Sequence, residues 1–308
     1  MSASTAINLA AYLIALAFGV FAAVKWRRQR QPVLAGFGLT VDRRTLPDIG
    51  AGLAITTVAM VGILVVLMAA GGIRASSGTF QPAVALGFGL FLILQAIVDE
   101  TVMRGMLVSG LAMLLGGRRI TAVLVAAILF GLTHAFFEGA SALSIVSNSL
   151  GGVMYGLAFV LTGRIWLGVG LHFAWNFVQG PILGFILSGH PVDHALFQID
   201  DLGPIWLTGG VYGPEGGIVG IGFRFVVIGA VVAWARIGAL SHVASLQMRP
   251  DPLARCNFIP TQPPAPPAGG SWPSFRRPAR WSVAAGRHGV RPAPWSTPGP
   301  APPRHGDG

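Results

Sequence analysis

The stretch AVALGFGLFLILQAIVDETVMRGMLVSGLAMLL, residues 83–115, is largely apolar and carries charges only near its centre, at Asp99, Glu100 and Arg104. A charged side chain at bilayer depth costs at least about 2.5 kcal/mol, so such residues usually face a polar interior and mark function. The alternative is a buried ion pair that holds two helices together. We favour a functional site for a carboxylate pair beside an arginine at this depth.

The composition indicates an integral membrane protein. Of the 308 residues, 53% are hydrophobic and only 10% are charged, whereas about a quarter of the residues in a soluble domain are charged. The net charge of +10 comes from basic residues in connecting segments and in the C-terminal tail. Membrane placement accounts for them, and we predict no nucleic-acid partner. Cys256 is the only cysteine, which excludes an intrachain disulfide and a thiolate zinc cluster.

Seven apolar segments approach or exceed the length that spans the hydrocarbon core of a bilayer. They are residues 6–24, 49–70, 83–115, 120–137, 142–161, 165–187 and 217–235. Basic residues follow the first segment rather than precede it, which favours a retained helix over a cleaved signal peptide. Arginines in the alternate connections place the N-terminus outside and the C-terminus in the cytoplasm. The predicted fold is therefore an all-α, polytopic transmembrane bundle of about seven spans in the cell membrane, with its active site inside the membrane region.

The chain divides by composition into four parts. Residues 1–82 are predicted to form N-terminal transmembrane helices and residues 83–187 the catalytic core. Residues 188–248 contain an outer loop and the last transmembrane helix. Residues 249–308 are rich in Pro and Arg, a composition that cannot build a core, so we predict a disordered tail.

The third span is unusually long. As one straight helix its residues would measure about 50 Å, so it must tilt, protrude or break, and the polar centre is the expected place for a bend. Glu100 and Arg104 are four positions apart and can pair on one helix face. Asp99 lies about 100° around the helix from Glu100 and is left free to act.

Two later spans carry the other ionisable candidates. His134 lies on the fourth span, and His172 and Asn176 share one face of the sixth. An acid beside a histidine suits general-base activation of water, and a second histidine with an amide suits stabilisation of an oxyanion. Alternatively, a zinc ion held by Glu100, His134 and His172 would activate the same water. Both arrangements predict hydrolysis.

Other polar residues are interpreted conservatively. His190, Asp193 and His194 could bind a surface metal, but we favour a solvated loop. Arg224 lies near the outer end of the last span, where it can snorkel towards water or pair locally.

Three motifs occur in order along the chain and resemble those of one family. They are Asp99-Glu100-x-x-x-Arg104, Phe130-Gly131-Leu132-Thr133-His134 and His172-Phe173-Ala174-Trp175-Asn176. This pattern resembles that of the CAAX prenyl endopeptidase and bacteriocin-processing (CPBP, or Abi) family of intramembrane proteases. The resemblance covers about residues 85–187 and implies a membrane peptidase with a peptide or protein substrate in or at the lipid bilayer.

The resemblance also implies roles for individual residues. Asp99 and His134 would activate water, and Glu100 with Arg104 would shape the site. His172 and Asn176 would stabilise the tetrahedral oxyanion. No cofactor is fixed by the sequence, and a divalent metal such as zinc is compatible with it. A metalloprotease and a glutamate-type mechanism both remain open.

One motif position departs from the family pattern. Asp99 stands where the family has a first glutamate, so its side chain is one methylene shorter. Because a misplacement of about 1 Å can cost on the order of a hundredfold in rate, the alternative is a catalytically weak member that acts as a membrane scaffold or a bacteriocin self-immunity factor. A transporter or proton relay is a third class, but the sequence shows no inverted repeat that would support it.

Overall fold

The computed structural model describes the backbone of residues 3–247 and the side chains of residues 5–238. The described residues fall within one compact unit, residues 1–250. The predicted tail, residues 249–308, lies outside the described residues. The boundaries of the other three predicted parts remain predictions.

Helices make up most of the described chain. They are α1 (Ala3–Arg28), α2 (Val33–Gly36), α3 (Thr45–Ala69), α4 (Pro82–Asp99), α5 (Ser109–Leu114), α6 (Arg119–Thr133), α7 (Ala142–Thr162), α8 (Trp166–Phe177), α9 (Ile205–Thr208) and α10 (Ile218–Gln247). Two π-helical segments, Glu100–Val108 and Val178–Ile182, follow α4 and α8, and two short 3₁₀ turns, Gly210–Tyr212 and Pro214–Gly216, precede α10. The apolar runs form helices because a backbone in lipid must satisfy its hydrogen bonds internally.

Five helical stretches within residues 3–247 are long and apolar enough to cross a membrane. They are Thr5–Arg28, Thr45–Ala69, Pro82–Leu114, Ala142–Thr162 and Ile218–Gly238. The fourth and sixth predicted spans contain the shorter helices α6 and α8, and α8 continues into the second π-helical segment. Each of the seven predicted spans therefore contains a helix, and the polytopic helical bundle is confirmed.

The long third span does not break, but its hydrogen-bonding pattern changes from α-helical to π-helical. It runs as one helical stretch from Pro82 to Leu114, with the π-helical segment starting at Glu100. A π-helix bonds residue i to residue i+5, and such segments are frequent at functional sites. The wider turn thus begins at the charged centre, where the sequence predicts a bend.

A small sheet joins two connections that the sequence analysis treats as loops. Strand β1 (Ile73–Ser77) pairs antiparallel with β2 (Phe197–Asp201), with Ile73 opposite Asp201 and Ser77 opposite Phe197. Asp201 also accepts hydrogen bonds from the Thr208 hydroxyl and the Gly203 amide. The sheet was not predicted, because its strands are short and mostly polar.

The core that positions the site lies between α3, α7, α8 and α10. Met60, Ile63 and Leu67 of α3 are fully buried in one cluster with Leu171 and Trp175 of α8. Because lipid chains are as apolar as these side chains, close van der Waals packing rather than exclusion from water holds α8 and the residues that it carries.

Candidate active site

A cavity of about 610 Å³ lies among the helices and is lined by residues from all three motifs. Asp99, His134, His172 and Asn176 line this cavity. Glu100 and Arg104 are not among its lining residues and are buried, with 0% and 2% of their surfaces exposed. The structure thus brings four of the six predicted residues to one cavity and places the other two behind it.

Glu100 is the acid that binds an imidazole directly. Its Oε1 accepts a hydrogen bond from Nδ1 of His172 at 3.1 Å and lies 3.0 Å from Nη1 of Arg104. The predicted pairing of Glu100 with Arg104 is therefore present. Oε2 of Glu100 has no hydrogen-bond partner among the described residues and packs against Gly168, where a Cβ would lie 2.7 Å away.

Asp99 occupies the other side of the same imidazole. Its Oδ2 lies 4.0 Å from Nε2 of His172, outside hydrogen-bond distance, and Oδ1 has no hydrogen-bond partner in the described part of the chain. With 7% of its surface exposed, Asp99 is a buried carboxylate that borders the cavity. Among residues 5–238, no ion pair or hydrogen bond joins Asp99 to His134, although both line the cavity.

Two aromatic rings hold the arginine of the first motif. The guanidinium carbon of Arg104 lies 4.6 Å from the ring centre of Phe130 and 4.8 Å from that of Tyr155. A cation against an aromatic face contributes about 0.5–2 kcal/mol, which offsets part of the cost of burying Arg104. Tyr155 also stacks on His172 at 4.9 Å, so one ring orients both groups.

His134 is held by its own helix. It follows the last residue of α6, and its Nδ1 donates a hydrogen bond to the carbonyl of Phe130 at 2.8 Å. A carbonyl oxygen only accepts, so Nδ1 carries the proton and Nε2 of the neutral ring is free to accept one. His134 is half-buried, and its Nε2 is therefore a candidate for binding water or substrate in the cavity.

A known protein family matches the part of the chain that carries the three motifs. Residues 80–178 match the family model described as Rce1-like, type II CAAX prenyl endopeptidase. The resemblance predicted from the three motifs is thereby confirmed over this Rce1-like segment. No curated protein matches the chain, and no solved structure matches it.

The Rce1-like segment covers about a third of the chain and contains all three motifs. At the family level, the match supports a CAAX-type intramembrane protease, which is a membrane hydrolase acting on a peptide or protein substrate. Together with the five long apolar helices, it indicates a multi-pass membrane protein.

The predicted zinc ligands of the Rce1-like segment do not form a suitable set in this structure. Glu100 directs Oε1 to His172 and Arg104, and its side chain does not line the cavity. Within residues 5–238, no three acidic, histidine or cysteine side chains are grouped as metal ligands require. The geometry of these three residues therefore does not fit a resident metal, and the outer residues His190, Asp193 and His194 likewise form no such group.

A second polar cluster borders the cavity and was missed by sequence reasoning. Arg224 has 1% of its surface exposed and pairs through Nη2 with Oε1 of Glu215 at 3.0 Å, so it pairs locally rather than snorkels. Nε of Arg224 donates to Ser147 at 2.9 Å, and its guanidinium lies 4.2 Å from the Trp175 ring. Both Arg224 and Glu215 line the cavity, together with Asn148.

Glu215 joins several elements within this cluster. It accepts hydrogen bonds from Nε1 of Trp175 at 2.8 Å and from the hydroxyl of Ser188. Asn148 donates to the hydroxyl of Tyr212 at 2.8 Å. Burial, and then the carboxylate of Glu215, raises the pKa of Tyr212, so its hydroxyl stays protonated. The sequence offered one signal for this cluster, because Glu215 stands in a loop nine residues before Arg224. That spacing alone does not predict that the two side chains meet.

Proposed function

We propose that this chain is an intramembrane endopeptidase of the CAAX-protease type that activates water with Asp99 and His134. The observation that carries the proposal is the position of His172 between two carboxylates, with Glu100 on Nδ1 and Asp99 facing Nε2. Because Oδ1 of Asp99 has no hydrogen-bond partner in the described chain and Asp99 borders the cavity, it is the acid available to a water molecule.

In the first step, the Asp99 carboxylate accepts a proton from water while Nε2 of His134 accepts a hydrogen bond from the same water. The water oxygen bonds to the carbonyl carbon of the substrate, and the carbonyl electron pair moves onto its oxygen. Nδ1 of His134 is fixed on the Phe130 carbonyl, so the ring is oriented before the substrate arrives. A positioned general base typically contributes about 10²–10⁴-fold in rate.

In the same step, His172 and Asn176 stabilise the oxyanion. Because Nδ1–H of His172 donates to Glu100, His172 can donate to the oxyanion through Nε2 only when that nitrogen also carries a proton, so in this mechanism His172 acts in its doubly protonated form. The amide of Asn176, one helical turn later, supplies a second donor from the same helix face. Fixed donors of this kind are worth about 10²–10³-fold each, because they need no reorganisation during the reaction.

In the second step, the tetrahedral intermediate collapses. The carbonyl re-forms, the carbon–nitrogen bond breaks, and the departing nitrogen takes the proton held by Asp99. The products are a new carboxyl terminus and a free amine, and Asp99 returns to its ionised form. Glu100 and Arg104 contribute by fixing His172 and take no proton from the substrate.

We further propose that the substrate is a peptide at or in the membrane, cleaved near its C-terminus or within its membrane-embedded part. The N-terminus of the enzyme lies outside and its C-terminus in the cytoplasm. The arginine-rich connections between alternate helices support this orientation.

The test is peptide cleavage by the purified protein in detergent. His134→Ala and His172→Ala should each reduce kcat/KM by about 10²-fold or more. His194→Ala, a change outside the cavity lining, is the matched control and should retain activity. Full activity in both His134→Ala and His172→Ala would overturn the proposal.

The second candidate function is a catalytically weak membrane scaffold or self-immunity factor. The 4.0 Å separation between Asp99 and His172 favours it, because a shorter acid leaves a gap at the reacting position. In that case the wild-type protein and the His134→Ala variant bind a partner with equal affinity. The Asp99→Glu variant then shows no peptide cleavage.

A further inference from the structure

The candidate site residues and the arginine-rich connections lie at opposite ends of the same helices. α6 begins at Arg119, and His134 follows its last residue, about 22 Å further along the helix axis. α7 carries the cavity residue Asn148 in its first half and is followed by Arg164. α8 begins two residues after Arg164 and presents Asn176 to the cavity near its far end.

Helices α3 and α10 repeat this arrangement. Arg224, which lines the cavity, lies near the start of α10, whereas the carbonyl of Gly238 accepts a hydrogen bond from Nη2 of Arg44 at 3.1 Å. Arg44 directly precedes α3, and Nη2 of Arg164 donates to Asp48, in the first turn of α3, at 2.8 Å. These contacts bring Arg44 and Arg164 together at one end of the bundle, which we call the arginine end.

A layer of buried apolar side chains separates the cavity from the arginine end. Leu107, Val123, Ile165 and Val169 belong to one buried cluster, and each has 0–1% of its surface exposed. On α8, Ile165 and Val169 precede His172 and therefore lie on the arginine side of it. We call these four residues the apolar barrier. A peptide backbone that entered from the arginine end would pass this barrier without partners for its polar groups, which is costly.

The opposite end of the cavity reaches the protein surface. The ring of Phe137 lies 5.0 Å from that of His134 and 5.3 Å from that of His190. His190 and Pro191 are exposed, and both line the cavity. We call these two residues the loop mouth. Only one ring, that of Phe137, separates His134 from the loop mouth, so a peptide can reach His134 from this end without crossing the apolar barrier.

The charges of the connections assign the two ends to sides of the membrane. Trp26, Arg119 and Gly163 line one pocket, so the basic connections that follow α1, α5 and α7 meet near the arginine end. Residues 135–141 and 183–216, which form the connections around the loop mouth, contain no lysine or arginine. Basic residues concentrate in the cytoplasmic connections of membrane proteins. The loop mouth therefore belongs to the extracytoplasmic side.

We propose that the substrate enters the cavity through the loop mouth and is a peptide on the extracytoplasmic side of the membrane. This inference rests on the proposed function and the proposed orientation, and it adds the class of substrate: an exported chain rather than one that remains in the cytoplasm. The apolar barrier keeps cytoplasmic peptides away from Asp99 and His134.

Cleavage by sealed membranes tests the side of entry. The probe is a pool of internally quenched peptides that carry a sulfonated dye and do not cross membranes. Right-side-out vesicles that contain the wild-type protein should cleave it, and inside-out vesicles should cleave it only after detergent is added. Vesicles with His134→Ala provide the blank for other peptidases. Cleavage by sealed inside-out vesicles, alone or together with right-side-out vesicles, would overturn the inference.

Blocking the loop mouth tests the route without reference to the membrane. Pro191→Cys, in a chain that also carries Cys256→Ser, is labelled with a bulky maleimide, and peptide cleavage is measured in detergent. Labelling should abolish cleavage, because the adduct fills the entrance. Leu46→Cys in the same background is the matched control, since Leu46 has 77% of its surface exposed beside the arginine end. Its labelling should leave the rate unchanged. Full activity of the labelled Pro191→Cys protein would overturn the inference.

Labelling in intact cells separates this inference from the proposed function. An impermeant maleimide should reach Pro191→Cys in intact cells and Leu46→Cys only after permeabilisation. If the purified protein cleaves no peptide but this labelling pattern is found, the proposed function fails while the cavity still opens to the extracytoplasmic side. If the protein cleaves peptides in detergent but the labelling pattern is reversed, the proposed function stands and the inference about the substrate fails.

Discussion

Oδ2 of Asp99 lies 4.0 Å from Nε2 of His172, beyond the reach of a hydrogen bond. The opposite nitrogen of the same ring is 3.1 Å from Glu100, so the imidazole is bound on one side and open on the other. Asp99, the shorter of the two acids, lies on the open side of the ring.

Asp99→Glu should therefore increase activity. The added methylene moves the carboxylate towards Nε2 of His172, and a change of about 1 Å at a reacting group alters rates on the order of 100-fold. We expect kcat/KM for peptide cleavage to rise by about ten-fold or more.

Asp99→Asn tests whether the Asp99 carboxylate is the base, because the amide has nearly the same size as the carboxylate but cannot accept a proton from water. We expect a loss of about 10²–10⁴-fold. An active Asp99→Asn protein would show that Asp99 is not the base.

Gly168→Ala should disturb the site through Glu100. The new Cβ would lie 2.7 Å from Oε2 of Glu100, which has 0% of its surface exposed and little room to move. We expect reduced cleavage and a lower free energy of unfolding, by about 1–3 kcal/mol, measured by denaturation in detergent.

Gly87→Ala is the matched control for this change. A Cβ at Gly87, on α4, meets no atom within 4 Å. Because alanine favours a helix over glycine by up to about 1 kcal/mol, stability should be unchanged or higher. Equal effects of the two substitutions would argue against steric displacement of Glu100.

Trp175→Phe should loosen the cluster around Glu215. Nε1 of Trp175 donates to Oε1 of Glu215 at 2.8 Å, and Trp175 has 1% of its surface exposed. Loss of a hydrogen bond to a charged group costs about 1.5–3 kcal/mol of unfolding free energy. Trp206→Phe, with 57% of the tryptophan surface exposed, should change stability by less than about 0.5 kcal/mol.

Metal removal should leave activity intact. Oε1 of Glu100 serves His172 and Arg104, Oε2 packs against Gly168, and Glu100 does not line the cavity that His134 borders, so Glu100 is not placed to complete a zinc site with His134. We expect a chelator to leave the initial rate of peptide cleavage unchanged and metal analysis to find much less than one zinc per chain. Loss of activity on chelation, restored by zinc, would contradict the carboxylate mechanism.

Thiol labelling tests the orientation in the membrane. Cys256, which lies outside the described residues, belongs to the tail that we predict to be cytoplasmic. A membrane-impermeant maleimide should label it only after cells are permeabilised. Asp200→Cys, in a chain that also carries Cys256→Ser, should react in intact cells because strand β2 belongs to the connection that we predict to be an outer loop. The reverse labelling pattern would invert the topology.

The sequence determined the class of fold and the identity of the candidate residues. Long apolar runs require helices in a bilayer, so the seven helical segments follow from composition and length. Spacing within one helix also fixes neighbours, which is why the pair Glu100 and Arg104 could be predicted. The same rule places His172 and Asn176 on one face, and both line the cavity.

Only the tertiary structure decided which groups meet across helices. The acid bound to His172 is Glu100, and Arg224 joins Glu215 and Trp175 at the cavity wall. Neither contact has a local spacing rule, because contacts between helices depend on crossing geometry and on the packing of side chains from distant segments. Helical periodicity is a property of the local chain, whereas the polar centre of the bundle exists only when the helices have packed.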